Sequence, residues 1–290
     1  MRFMMMVKSD AASEAGQLPP AELMGKMDAF NGEMLKAGVM LAGEGLKASS
    51  HGVRVRAVAG AQGQPASVQA TEGPFAEARE LVGGFWLVQT PTLADAIAWA
   101  KRAPFSEGEI EIRRLYEMSD FPSDPSGAPE EWREQEQALR EGAAAAAAPA
   151  GAAAPAAPAR IPGTRRFIAM LKADRVTESG ALPTPEALAQ MGGVMDGLAR
   201  SGALLGGEGL KPSAQGAKVR FAGGRRTVID GPFAEAKEMI AGYTIIQVPT
   251  KQDAIQFAER WLNVHIATSA VPLESSEIEI RALMEAEDFT

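Results

Sequence analysis

The chain contains the stretch GEGLKASSHGVRVR at residues 43–56 and repeats it, almost unchanged, as GEGLKPSAQGAKVR at residues 207–220. Two further blocks also occur twice: EGPFAEARE at 72–80 with DGPFAEAKE at 230–238, and EIEIR at 109–113 and 277–281. The spacing between blocks differs in the two halves, as it does when insertions fall in loops. A tandem duplication of one small domain therefore accounts for most of the 290 residues.

The segment between the two copies has a different composition. Residues 142–159 consist mainly of alanine, proline and glycine without a periodic apolar face, which indicates a semi-rigid tether. The preceding residues 129–140 have a helical pattern with one large apolar side chain, Trp132. We predict a first domain at 1–122, a helix and linker at 123–161, and a second domain at 162–290.

Within each copy, periodicity and turn residues predict the order strand, helix, several strands, helix, strand. This order is typical of the ferredoxin-like α+β plan, in which helices cover one face of an antiparallel sheet. The opposite face of each sheet must also be buried. We therefore predict two ferredoxin-like domains, packed sheet to sheet as an intramolecular pseudo-dimer that forms an α+β barrel, in a chain that is a monomer or a weak homodimer.

The composition excludes several classes of function. A net charge of −8 and a pI near 5.1 argue against nucleic acid as a partner. Cysteine is absent, which excludes thiolate metal sites and a cysteine nucleophile, and a reducing, cytoplasmic setting is expected. The prolines of the alanine-rich tether argue against a membrane span. No dinucleotide, phosphate-loop or metal-ligand motif is present, so we expect neither a metal nor a tightly held cofactor.

The second copy carries Asp230-Gly231-Pro232-Phe233, and the first carries the same motif with Glu72 in place of the aspartate. With the GEGL blocks and the last strands, this motif resembles the DGPF type of the YCII-related family across both halves. The resemblance implies a ferredoxin-like domain that pairs into a barrel around a small-molecule pocket. It also implies, for some relatives, acid–base chemistry with a His and Asp pair, and for the DGPF type a link to stress-response sigma factors. Neither His51 nor His265 occupies a motif position.

Strand alternation places charged side chains on the sheet face opposite the helices. In the EIEIR strands the isoleucines share one face, while the other carries two pairs, Glu111 with Arg113 and Glu279 with Arg281. These groups could line a pocket and bind a partly anionic ligand, because arginine offers a fixed fork of donors. Alternatively, they form ion pairs that only stabilise the barrel.

Two further glutamates, Glu44 and Glu208, share a strand face with apolar residues. Burial there would raise the carboxyl pKa or require a cationic partner, which would suit a general acid or base but equally a structural ion pair. The candidate partners, which we also count as ligand-binding candidates, are Lys47, Lys211, Arg56 and Arg220. The motif acids Glu72 and Asp230 are further catalytic candidates, although a role in starting a helix explains them as well.

Two functional hypotheses remain open. The chain is a small-molecule pocket protein, which includes an enzyme of isomerase, lyase or monooxygenase type, or it is a non-catalytic binding or regulatory module of a stress response. In either case we expect the two pockets to have diverged, because Trp86 and Thr244 occupy equivalent positions. At most one pocket should then be competent, with the second copy favoured.

Overall fold

A computed structural model describes residues 1–58, 66–76, 80–120, 160–233, 239–268 and 276–289. The strands are β1 Arg2–Lys8, β2 Met40–Gly45, β3 Val53–Val58, β4 Ser67–Glu72, β5 Val82–Gln89, β6 Gly108–Arg114, β7 Arg165–Lys172, β8 Leu204–Gly209, β9 Ala217–Ala222, β10 Arg225–Asp230, β11 Ile240–Val248 and β12 Glu277–Ala282. The helices are α1 Ala11–Glu14, α2 Ala21–Lys36, α3 Leu93–Ala100, α4 Arg175–Glu178, α5 Pro185–Arg200 and α6 Lys251–Thr268.

The described strands form two antiparallel, six-stranded sheets that share strands between the halves. The first sheet has the order β10-β9-β6-β1-β5-β2 and the second has the order β4-β3-β12-β7-β11-β8. Each sheet thus takes four strands from one half and a hairpin from the other. The hairpin strand β3 pairs with β12, while β9 pairs with β6. The mixed α+β class follows from the sequence, but this exchange of hairpins does not.

Alternation along the strands divides the apolar side chains between two environments. Phe3 and Met5 of β1 face the helices of the first half, together with both isoleucines of β6. Met4 and Met6 point the other way and pack in one cluster with Ile168 of the second half and other residues of the second sheet. The two sheets therefore contact each other through apolar side chains, which bury the face that the helices leave open.

The last helix of each copy, α3 or α6, begins at a threonine cap but ends at a different place. Thr92 caps α3 in a reciprocal arrangement with Asp95, and Thr250 and Asp253 make the same hydrogen bonds at α6. Helix α3 spans 8 residues, whereas α6 spans 18. The sequence pattern after Thr250 predicts a helix that ends near Trp261; the helix continues to Thr268, so the predicted boundary is wrong.

Several predicted features lie outside the described residues. They are the helix at 129–140 with Trp132, the tether at 142–159, and the segments that follow the GPF motifs at 77–79 and 234–238. Among the described helices, none is long and apolar enough to cross a membrane.

Candidate functional site

A cavity of about 190 Å³ lies in the second half, between its two long helices and the second sheet. Helix α5 contributes Met191 and Met195 to its walls, and α6 contributes Phe257 and Trp261. Small side chains on the sheet leave the space open, because Thr244 of β11 is paired with Gly207 of β8 on the cavity floor. The site is therefore a largely apolar pocket between the helices and the sheet.

The ionisable residues of the cavity lining lie at two places. Glu208 lies on the β8 edge, where it binds Arg2 of the first half at 2.7 Å and forms a hydrogen bond with Tyr243. Burial, followed by the charge of Glu208, raises the pKa of Tyr243 well above its usual value, so this phenol stays protonated. His265 is contributed by the last turns of α6, and burial lowers its pKa against the opposing charge of Asp174.

The equivalent position in the first half is occupied by a side chain. Trp86 pairs with Met5 and Gly43 as Thr244 pairs with Ala169 and Gly207, so the two residues are structurally equivalent. The indole of Trp86 is 4% exposed and donates its N–H to Asn31 Oδ1 at 2.9 Å. A Cβ on Gly43 would lie 2.8 Å from this ring. The indole thus fills the space that is empty in the second half.

The different helix lengths explain the remaining walls. In the first half, α3 ends before Pro104, and Phe105 turns back against Trp86 with 6.4 Å between ring centroids. In the second half, α6 continues to Thr268 and brings Trp261 and His265 over the cavity. The longer connection seen in the sequence is therefore used in part to extend a helix across the site.

The two repeated motifs contact each other in the same way in both halves. The hydroxyl of Ser49 accepts a hydrogen bond from the Phe75 backbone N–H at 3.0 Å. In the second half, Ser213 accepts from Phe233 at 3.2 Å. The motif glycines allow this approach, because a Cβ on Gly73 would lie only 1.8 Å from the Ser49 carbonyl oxygen. The GEGL and GPF blocks therefore recur together because they pack against each other.

A buried ionic cluster connects the halves next to the cavity. Arg113 is fully buried and binds Glu111 at 3.2 Å, Glu178 of α4 at 2.9 Å and the Lys211 carbonyl. Burial raises the pKa of Glu111, but the charges of Lys8 and Arg113 outweigh it and leave the pKa below its usual value. Because Glu178 adjoins the cavity residue Thr177, the cluster supports one cavity wall.

A second cluster repeats the first. Arg281 binds Glu279 at 3.2 Å, Glu14 of α1 at 3.0 Å and the Lys47 carbonyl. Burial raises the pKa of Glu279, and Lys172 and Arg281 lower it by more, as in the first cluster. Both predicted carboxylate–arginine pairs are thus formed within the described chain. Both arginines donate hydrogen bonds to carboxylates and backbone carbonyls of the protein itself.

The other sequence-predicted residues are placed as follows. Glu44 binds Arg166 at 2.5 Å, and burial, only partly opposed by Arg166, raises its pKa. Lys47 pairs with Asp288, and Lys211 with Asp120. The predicted cationic partners of Glu44 and Glu208 were therefore wrong, since Arg166 and Arg2 of the opposite halves take that role.

Two predicted arginines lie away from the space between the sheets. The side chains of Arg56 and Arg220 are 59% and 58% exposed and pair with Glu277 and Glu109. Strand alternation correctly predicted the sheet face of these arginines, which is the face opposite the helix-facing Val55. Because β3 and β9 belong to hairpins added at the outer edge of the opposite sheet, the side chains of Arg56 and Arg220 meet water.

The motif acids are also exposed. Glu72 ends β4 and pairs with Lys251, while Asp230 ends β10. The segments that would form the predicted helix lie outside the described residues. Neither acid belongs to the cavity lining.

Several residues of these sites escaped the sequence analysis. They are Arg2 and Arg166, Glu14 and Glu178, Lys8 and Lys172, and the two motif serines. Each residue recurs unchanged at the equivalent position of the other copy, so a search for charged and hydroxyl side chains retained in both copies would have found them. The cavity residues that differ between the halves have no such signal: Met195 and Thr244 lie where the first half has Asn31 and Trp86.

Comparison with known proteins agrees with this repeated architecture. The YCII-related domain family matches residues 1–119 and 167–271, which together make up more than half of the chain. A 61-residue stretch is 34% identical to an uncharacterized protein of Rhizobium meliloti (strain 1021) and covers 21% of this chain. The aligned part spans about half (49%) of that relative's length. The chain therefore belongs to the family of YCII-related domain proteins.

Proposed function

We propose that the protein binds a small molecule in the second-half cavity and that the first half serves as a support without an open site. The observation that carries this proposal is the exchange of Trp86 for Thr244 at equivalent positions, which accompanies a cavity of about 190 Å³ beside Thr244. An apolar cavity of ~150 Å³ is already large enough to take up a benzene-sized molecule.

The proposal also accounts for the first half. Arg2, Tyr116 and Arg113 of the first half contact residues that form or support the second-half cavity. Removal of the first half would leave Glu208 and Glu178 without these cations. We therefore propose that the two halves form an intramolecular pseudo-dimer of the barrel type, the result of a tandem duplication of DGPF-type domains, in a cytoplasmic protein.

Chemistry on the bound molecule is a further part of the proposal. Glu208 is the one catalytic candidate from the sequence that lines the cavity; Glu44, Glu72 and Asp230 do not. Its carboxylate is held by Arg2 and Tyr243. An isomerase, lyase or monooxygenase-like reaction would have to use this group or His265 as the acid or base. The alternative of a regulatory module fits a cavity that binds without turnover.

A thermal-shift screen of small phenolic, carbonyl and heteroaromatic compounds tests the site. A compound at 100 times its dissociation constant should stabilise the parent by about 2.7 kcal/mol. The double variant Thr244→Trp/Met195→Asn copies the residues of the first half into the second and should lose this stabilisation. Trp86→Phe, at the equivalent position of the first half, is the matched control and should keep it. Equal stabilisation of the filled variant would contradict the proposal.

A further inference from the structure

We propose that the second-half cavity selects a flat aromatic molecule, between one ring and an indole in size, with a single polar substituent. This inference rests on the proposed function and adds the class of ligand. It follows from a comparison of the halves: the Trp86 indole occupies in the first half the position that the ligand would occupy in the second.

The surroundings of Trp86 are those of a bound aromatic molecule. Phe30 meets the indole edge to face, with centroids 5.7 Å apart and an interplanar angle of 82°. Such aromatic contacts contribute beyond simple burial of area. The ring lies over Gly43, which has no side chain to obstruct it. The first half therefore provides a flat slot between a helix and the sheet.

The second half has an equivalent slot, but different residues form its walls. Gly207 lies at the position of Gly43, and the rings of Phe257 and Trp261 line the cavity. Met191 and Met195 complete the apolar wall, and methionine sulfur makes favourable contacts with aromatic rings. The volume of about 190 Å³ exceeds the ~150 Å³ that takes up benzene. A single ring with a substituent, or a small fused ring, matches this space.

The polar groups differ from those around Trp86. Met195 replaces Asn31, so the amide oxygen that accepts the indole N–H is missing. Two other groups can bind a polar substituent: the Thr244 hydroxyl and the imidazole of His265. Among the residues that the structure describes, none forms a hydrogen bond with this imidazole. A hydroxyl on the ligand would supply a donor to it, whereas a bare hydrocarbon would not.

Matched pairs of probes test this class by titration calorimetry at neutral pH. Phenol and cyclohexanol share a skeleton and a hydroxyl, as do 2-naphthol and decahydro-2-naphthol, but only one member of each pair is flat and aromatic. We expect the aromatic member to bind up to about tenfold more tightly, since edge-to-face contacts contribute roughly 0.5–1.5 kcal/mol per pair. The Thr244→Trp/Met195→Asn variant should bind none of them.

Each of the other outcomes contradicts either the aromatic selection, the position of the site or the proposed function. If the saturated members bind as tightly, the cavity is a general apolar site: the proposed function stands and the aromatic selection is wrong. If the filled variant still binds phenol, the site lies elsewhere. The double variant Trp86→Thr/Asn31→Met, which opens the equivalent slot in the first half, serves as a positive control. Should it bind phenol while the parent binds no probe, both the inference and the proposed function fail.

Discussion

The two halves of the protein have the same strands in the same register, yet one slot is filled and the other is empty. In the first half the indole of Trp86 occupies the space between α2 and the sheet, whereas in the second half Thr244 leaves a cavity there. The ionic clusters and motif contacts around these slots are nearly identical. The difference shows which contacts maintain the fold and which are free to change.

The largest expected effect concerns the equivalent arginines. Replacement of either Arg113 or Arg281 by methionine removes the buried cation of one cluster and leaves its buried glutamate only with cations that are less buried, which should cost about 3–5 kcal/mol of stability. Denaturant unfolding should show similar losses in both variants. Only Arg113→Met should also weaken ligand binding, because Glu178 lies beside the cavity residue Thr177. If the methionine variant does not fold, Arg113→Lys replaces it in the test. Equal weakening of ligand binding by the replacements of Arg113 and Arg281 would refute the link between Arg113 and the cavity.

A second prediction exchanges the two slots. Trp86→Thr/Asn31→Met removes a buried indole and should destabilise the protein by roughly 3 kcal/mol, near the lower range for large-to-small core substitutions. The same variant should gain a second binding site, seen as a doubled stoichiometry in calorimetric titration. A stoichiometry that stays unchanged would show that the longer helix α6, and not the size of residue 244, decides whether a slot binds.

A third prediction concerns contacts that the halves share. In Gly73→Ala and Gly231→Ala, the new Cβ would lie 1.8 Å from a serine carbonyl oxygen in each case. The motif loops must then move, and we expect each variant to lose about 1–3 kcal/mol. The losses measured by thermal unfolding should agree closely. A much larger loss in one half would show that the motif contact has diverged as well.

The smallest effect is a dependence of stability on pH. The pKa values of Glu111 and Glu279 lie below the usual 4.5 in the folded protein, because nearby cations outweigh the effect of burial. Their contribution is therefore present at neutral pH and is lost as the pH falls below about 4.5 through the lowered values. Glu111→Gln and Glu279→Gln should each flatten the acid side of the stability curve. An unchanged curve would mean that other carboxylates dominate acid unfolding.

The sequence predicted much of this fold for clear physical reasons. The repeat predicted paired sets of strands and helices, and alternation correctly assigned Ile110 and Ile112 to the helix face. The divergence at Trp86 and Thr244 was also visible. The exchange of hairpins was not, because β3 and β9 have the same alternation of apolar and charged residues and could pair with either copy without turning a side chain to the wrong face.

The site was harder to predict than the fold. Charged residues that share a face suggested a pocket between the sheets, but Arg113 and Arg281 bind carboxylates from short helices whose position depends on the tertiary structure. The cavity instead lies on the helix side. It depends on the continuation of α6 past Trp261, where neither glycine nor proline occurs before Pro272. That stretch was the available signal for a longer helix.

Xenon binding measures the difference between the two slots without any assumption about the ligand, because xenon enters empty apolar cavities. Crystals equilibrated under xenon pressure should show anomalous density between Met195, Phe257 and Thr244 and none beside Trp86. Density of equal strength in both halves, or its absence from the second half, would contradict the account.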